Sequence, residues 1–285
     1  VSAPRLPPDR TLDLGSGVIA VVAENPGPLT LDGTRTYLVG GSRPIVLDPG
    51  PLDPAHLARI DAALGGRTPG AVCLTHAHAD HAEAAAATAD LWSAPLTASA
   101  ATLARLEQRG TALADGDRLP LGEGWLRVIA SPGHSGDHVC FLVEESRDLF
   151  TGDLVLGEGS SMVAHPDGSV SAYVASLRRL AEFEPARLLP GHGPPVRDAV
   201  AKLESYAAHR LERSEQVRQA LADGVRSVAE LREVVYGDLP PGVGRAADLS
   251  LLAHLAHLRE LGLEVPRLSG EGPDPAAERR PPGGA

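Results

Sequence analysis

The chain has 285 residues, 43% of them hydrophobic and 22% charged, with a formal net charge of -11. That balance is ordinary for a folded globular protein, and it excludes a charge-dominated disordered chain and a protein that binds polyanions through overall basicity. No apolar run approaches the ~18 residues of a membrane span, and the opening VSAPRLPPDRTLDLGSG lacks an apolar segment of signal-peptide length, so a cytoplasmic protein with no membrane partner is expected.

In chain order, VIAVVAE, TYLVGG, PIVLDPG and GAVCLTH read as strands, followed later by WLRVIASPG, HVCFLVEE, LFTGD and ARLLPGHG; most end at Gly, Pro or Asp, where a chain turns. Between them, DPAHLARIDAALGG, HAEAAAATADLW, ASAATLARLEQRG and SVSAYVASLRRLAEF carry apolar residues at helical spacing. Strands and helices mixed in this order predict an α/β fold of layered sheets flanked by helices. From Val196 to Leu263 the pattern is almost entirely helical, one long helix and two shorter ones ending in LEV, which suggests a small winged-helix-like module. The predicted division is residues 1–200, 201–266 and a disordered tail at 267–285, rich in Pro, Gly and charge. Cys73 and Cys140 lie in apolar runs without ligand-pair spacing and read as buried thiols.

Charge is unevenly placed. Residues 1–175 carry 11 basic and 21 acidic side chains, whereas residues 176–218 carry 8 basic and 6 acidic. Attraction for a polyanion would therefore be local, through Arg178, Arg179, Arg187, Arg197, Lys202, Arg210, Arg213 and Arg218.

The strongest chemical signal is THAHADH at 75–81, where a strand runs into a tight turn bearing His76, His78, Asp80 and His81. Three imidazoles and a carboxylate within six positions point to a metal site, because such donors are costly to gather without a cation. Three later segments each set one further donor beside a glycine at a strand end: SPGHSGDH with His134, TGD with Asp153, and PGHG with His192. One arrangement uses them all. His76, His78 and His134 hold one ion, Asp80, His81 and His192 a second, and Asp153 bridges the two, leaving the open coordination of a catalytic centre.

These motifs resemble the metallo-β-lactamase superfamily, whose signature is H-x-H-x-D-H followed by separate His, Asp and His motifs. The resemblance implies a four-layer αββα sandwich, a metal site at one edge between the sheets, and Asp48 of PIVLDPG as a carboxylate supporting the metal loop. Asp153 stands where the best-known β-lactamases have a cysteine, which argues against antibiotic hydrolysis. NPGPLTLDGTRTYLVG, TGDLVLGEGSSMV, YVASLRRL, PGHGPPV, YAAHRLER and LLAHLAHLRELG further resemble the lactamase-like protein two branch, with a winged-helix-like domain after the metal domain. That branch implies that His209 and His254 can face substrate, although on their own residues they read more readily as helix-surface or core histidines. It has an amide where this chain has Arg35, a departure near the expected site entrance.

The implied activity is that of a dinuclear hydrolase using a metal-bridged hydroxide, with two zinc ions per chain and manganese or iron as alternatives. Asp80 and Asp153 would orient the hydroxide. His138 reads as a donor supporting the ligands or as a leaving-group acid, against a plain loop histidine; His56, His165 and His257 read as structural. The same centre can cleave a phosphodiester or a thioester. Branch precedent and the basic stretch favour endoribonuclease action on single-stranded RNA; a thioesterase acting on acyl or hydroxyacylglutathione-type thioesters is the alternative. A third reading, of another class, is a DNA-binding or ligand-sensing protein with an inert metal domain. A homodimer is compatible with the sequence.

Overall fold

The computed structural model describes residues 6–272 apart from 8, 123 and 241. Strands β1 (Thr11–Asp13), β2 (Val18–Val22), β3 (Arg35–Val39), β4 (Ile45–Leu47), β5 (Ala71–Cys73), β6 (Leu96–Ser99) and β7 (Thr111–Leu113) form one sheet in that spatial order. It is antiparallel up to β4 and parallel from β4 to β7. Strands β8 (Arg118–Pro120), β9 (Trp125–Ala130), β10 (Val139–Val143), β11 (Asp148–Gly152) and β12 (Arg187–Pro190) form a second sheet, antiparallel except for the β11–β12 pair.

The period of two in these strands sorts their side chains between layers. Tyr37, Val39, Ile45, Leu47, Phe141 and Phe150 point between the sheets, whereas their neighbours Leu38 and Val46 face one outer layer and Cys140 and Leu149 the other. Both faces of the central strands in each sheet are thus covered, which explains why those strands read as continuous apolar runs. Tyr37 ties the sheets together by donating its hydroxyl hydrogen to the Pro190 carbonyl at 2.7 Å.

Helices α1 (Pro54–Leu64), α2 (Ala79–Ala82), α3 (Ala85–Trp92) and α4 (Ala100–Arg105) belong to the first sheet's side, and α5 (Val170–Glu182) and α6 (Ala199–Ala222) cover the second sheet. The result is the expected αββα sandwich. The segment HAEAAAATADLW is not one helix: the chain breaks between α2 and α3, where the Ala84 amide donates to the Gly50 carbonyl. ASAATLARLEQRG likewise opens within β6, and Ser99 then caps α4 by accepting from the Thr102 amide.

The last module packs the C-terminal half of α6 against α7 (Val228–Tyr236) and α8 (Gly244–Glu260) around Val217, Leu221, Leu231, Leu251 and Leu255. Helix α6 belongs to two cores, because Leu203, Tyr206 and Ala207 pack under the second sheet and Val217, Ala220 and Leu221 in the module. A boundary at 200/201 therefore falls inside its first turns. The expected tail also begins later than 267: Leu268 is buried in the module, and Ser269 forms a parallel bridge with Ser227. Residues 273–285 of that expected tail lie outside the described residues. Among the described residues no helix is long and apolar enough to cross a membrane. Cys73 and Cys140 are buried and free.

Candidate metal centre

Loops at one edge of the sandwich bring together every donor singled out in the sequence as a metal ligand. His76, His78, His134 and Asp153 form one group and Asp80, His81 and His192 a second, the ligand atoms of each lying within 4.8 Å of one another. In the second group, His81 Nε2 lies 3.3 Å from His192 Nε2 and 3.5 Å from Asp80 Oδ2, and His192 Nε2 lies 3.2 Å from Asp80 Oδ2. Donors ~2.0–2.1 Å from a common ion in tetrahedral directions stand about 3.3–3.4 Å apart, so this is the spacing of a ligand set. In the first group, His78 Nδ1 lies 2.9 Å from His76 Nε2 and 3.0 Å from His134 Nε2.

Asp153 touches both groups. Its Oδ1 is 3.2 Å from both His81 Nε2 and His192 Nε2, while its Oδ2 is 3.7 Å from His134 Nε2. Each carboxylate oxygen thus serves a different group.

The hydrogen bonds on the far side of each ring match that arrangement. Asp48 Oδ2 accepts from His81 Nδ1 at 2.9 Å, and the Met162 carbonyl accepts from His134 Nδ1 at 2.7 Å. The Gly33 carbonyl lies 3.4 Å from His192 Nδ1. Thr75 gives its hydroxyl hydrogen to Asp48 Oδ2, so its oxygen accepts from His76 Nδ1 at 2.9 Å. With the Nδ1 hydrogen held in each case, the Nε2 lone pair faces inward, as a cation requires. His78 differs in presenting Nδ1.

The electrostatics lead to the same place. Burial pulls His81 down, but Asp153, Asp48 and Asp80 outweigh it and hold its pKa well above the usual imidazole value. His192, pulled down by burial and up by Asp153 and Asp80, stands at about 9. Burial would raise Asp80, yet His81 and His192 bring it down to about 2. His76 is pushed well below the usual value by burial and by the charge on His81. These carboxylates select positive charge at this point, which a divalent ion would supply with the imidazoles neutral.

Backbone features make room for this crowding. A Cβ at Gly191 would lie 2.6 Å from His81 Cε1 and 2.9 Å from Asp153 Oδ1, so only glycine lets this strand end pass behind two donors. Asp48 holds a left-handed conformation, φ 50°, while its Oδ1 accepts from the Thr75 amide at 2.7 Å. A non-glycine residue adopts that conformation at a cost that its neighbours must offset.

Other expected site residues stand elsewhere. His138 is buried beside His76, with its Nδ1 3.0 Å from Ser131 Oγ and its Nε2 without a partner among the described residues; burial and the charge on His134 push its pKa well below the usual range. A neutral, buried imidazole there is poorly placed to protonate a leaving group. Arg35 is only 2% exposed, clamped bidentately by Asp32 at 2.8 Å, so it faces its own salt bridge rather than an entrance. His254 is fully buried with Nδ1 2.8 Å from Ser214 Oγ, and burial with the Arg210 charge lowers it to about 3; it does not face substrate. His209 is half-buried, and burial followed by Arg210 lowers its pKa. His56 and His257 hydrogen-bond Thr36 and Ser171 as structural residues do.

Three supporting residues escaped the sequence reading. Asp137 accepts from the Ala77 amide at 2.9 Å and from the Thr102 hydroxyl at 2.8 Å, pinning the turn between His76 and His78. Thr34 donates to Asp80 Oδ2 at 3.0 Å, and Met162 acts through its carbonyl. Asp137 sits in SPGHSGDH and was visible as a polar residue of that motif; a backbone carbonyl has no sequence signature.

Residues 29–192 match the family model described as the metallo-beta-lactamase superfamily. The chain belongs to that superfamily. Residues 227–265 match the beta-lactamase associated winged helix domain. Among metallo-beta-lactamase superfamily relatives, the chain is 33% identical over 279 residues to the lactamase-like protein vrtG of Penicillium aethiopicum, covering 92% of this chain and 88% of that one. It is 32% identical to an atrochrysone carboxyl ACP thioesterase of Aspergillus novofumigatus, covering 83% and 70%, and 29% identical to a beta-lactamase-like protein 2 homolog of Caenorhabditis elegans, covering 82% and 81%. A beta-lactamase domain protein from Burkholderia ambifaria shares the fold with a TM-score of 0.80 at 24% identity over 91% of each chain.

Proposed function

We propose that the chain is a dinuclear-metal hydrolase that cleaves acyl thioesters. His76, His78 and His134 would hold one ion, Asp80, His81 and His192 the other, and Asp153 one ion with each of its oxygens. Bound there, two divalent ions, zinc or alternatively manganese or iron, supply Lewis acidity and bring a water toward a pKa of about 7.

The chain's own groups set up the rest. Thr34 holds Asp80 by one oxygen, Oδ2, which leaves the other carboxylate oxygen to accept a hydrogen bond from an attacking water. Asp48 fixes the tautomer and tilt of His81, and Met162 does the same for His134.

The choice of thioester over RNA is carried by the fate of the basic stretch. Arg179 pairs with Asp115, Arg187 with Asp148 and Arg218 with Glu215. Arg210 is buried, Arg213 lies over the Tyr236 ring, and Lys202 lies over Tyr206. Six of the eight basic groups are thus paired, stacked on a ring or buried, although the Arg218–Glu215 pair stays at the surface, and less of the run is free for a polyanion than its sequence suggests. Aromatic residues make up only 3% of the chain, which offers little for base stacking. The thioesterase name of the Aspergillus novofumigatus relative supports the same reading.

The experiment is a substrate panel: acyl-N-acetylcysteamine and acyl-carrier-protein thioesters with thiol release measured, beside single-stranded RNA, using zinc-loaded protein and an Asp80→Ala, His81→Ala control. Thiol release lost in the control, with RNA intact, supports the proposal. RNA cleavage lost in the same control, without thiol release, returns the assignment to the endoribonuclease reading.

A further inference from the structure

A buried arginine on the helix shared with the helical module reaches a loop beside the metal ligands. Arg210, on α6, is 4% exposed, and no carboxylate pairs with it among the described residues. Its Nη2 instead donates to the Ser160 hydroxyl at 3.0 Å and to the Ser161 carbonyl, and its guanidinium lies 5.4 Å from the Tyr173 ring centre. A cation kept from water without a counter-ion is costly, so a fold that retains one uses its direction.

Residues 160–162 are the segment it grips, and that segment touches two expected ligands. The Ser161 hydroxyl donates to the backbone carbonyl of Asp153, and the neighbouring Met162 carbonyl holds His134 Nδ1. One helical turn before Arg210, Tyr206 donates to the Gly159 carbonyl at 2.8 Å and so ties the same loop. Behind the arginine, Ser214 gives its hydroxyl hydrogen to the Arg210 carbonyl at 3.1 Å, so its oxygen accepts from His254 Nδ1. That leaves His254 Nε2 a bare acceptor. Arg210 Nε is an unpartnered buried donor, and the two groups are close enough for the Arg210 charge to act on His254. His254 stays neutral and adds no second positive charge.

We infer that Arg210 is a positioning residue by which the helical module sets His134 and Asp153, and hence holds the ion of the His76, His78 and His134 group. The inference rests on the two-ion reading. The module is then part of the metal centre's support. Arginine suits this role because its planar fork addresses a hydroxyl and a carbonyl together, which a lysine ammonium does less rigidly.

The test measures zinc retained per chain after a timed chelator challenge, for wild type, Arg210→Met, Arg210→Lys and Tyr206→Phe, with cobalt absorption spectra of the same proteins. Arg210→Met should release the ion of the His76, His78 and His134 group at least ~10-fold faster than wild type and the other ion, which shares only Asp153, by a smaller factor, with the cobalt spectrum changed most at the first site. Arg210→Lys should recover part of the loss, and Tyr206→Phe should move the same way by less. Should Arg210→Met fail to fold, the lysine and phenylalanine variants carry the same expectation. Two ions retained at the wild-type rate in every folded variant, with only a lowered Tm, overturns the inference. A wild-type protein that binds fewer than two ions overturns the two-ion reading itself.

Discussion

His81 Nδ1 sits 2.9 Å from Asp48 Oδ2, with both side chains buried and the Asp48 backbone in the left-handed region. The carboxylate also takes the amide and the hydroxyl of Thr75, so it joins the strand end before the metal turn to a donor six residues later. Asp48→Asn keeps the volume but places an amide nitrogen against one of those donors. We expect metal affinity to fall ~10–100-fold with little change in secondary structure, as read by equilibrium dialysis against a chelator. Unchanged affinity would mean that His81 needs no such support.

Gly191→Ala should be as damaging as loss of a ligand. The added methyl would lie 2.6 Å from His81 Cε1 and 2.9 Å from Asp153 Oδ1, and neither group can retreat without leaving the metal centre. Overpacking of this kind costs about 1–3 kcal/mol, visible as a lowered Tm together with weaker metal binding. Wild-type metal content in this variant would show that the strand end can shift.

Stability should depend on pH differently with and without metal. The folded metal-free protein holds His192 at about 9, above its unfolded value of 6.5. The stabilisation from that proton is therefore complete below about 6.5 and lost as pH rises through about 9. Asp80, lowered to about 2 from 3.8, contributes stability above 3.8 that is lost as pH falls toward 2. Chelator-treated protein should thus lose Tm between pH 6.5 and 9, whereas zinc-loaded protein should not, because metal binding releases the protons instead. Parallel Tm curves for the two forms would contradict this.

His138→Asn separates a proton donor from a supporting group. A leaving-group acid would leave its mark on the pH–rate profile, and a neutral imidazole packed beside His76 would not. We expect kcat to fall through disturbed packing while the profile keeps its shape. Loss of one limb would restore the acid role.

The metal donors were legible because each lies in a short motif at a strand end, and the apolar runs of β2 to β5 and β9 to β12 are long enough to signal buried strands. Strands β1, β7 and β8 were not, since three-residue pieces at sheet edges bury too little to leave a periodic pattern. Strand β6 hid in an alanine-rich segment whose second half is a true helix. Arg35 and the basic stretch were misleading for one reason: a sequence shows a charge but not its partner, and Asp32, Asp115 and Asp148 take up charges that looked free. Contacts such as Met162 to His134 and Arg210 to Ser161 join positions 28 and 49 residues apart, and no local pattern marks them.

The central claim is a two-ion centre shared through Asp153, and titrating metal-free enzyme with zinc while following thioester hydrolysis tests it most directly. The account predicts activity that rises to a plateau only at the second equivalent per chain, with Asp153→Ala weakening both ions. Full activity at one equivalent, with a second ion adding nothing, would contradict it.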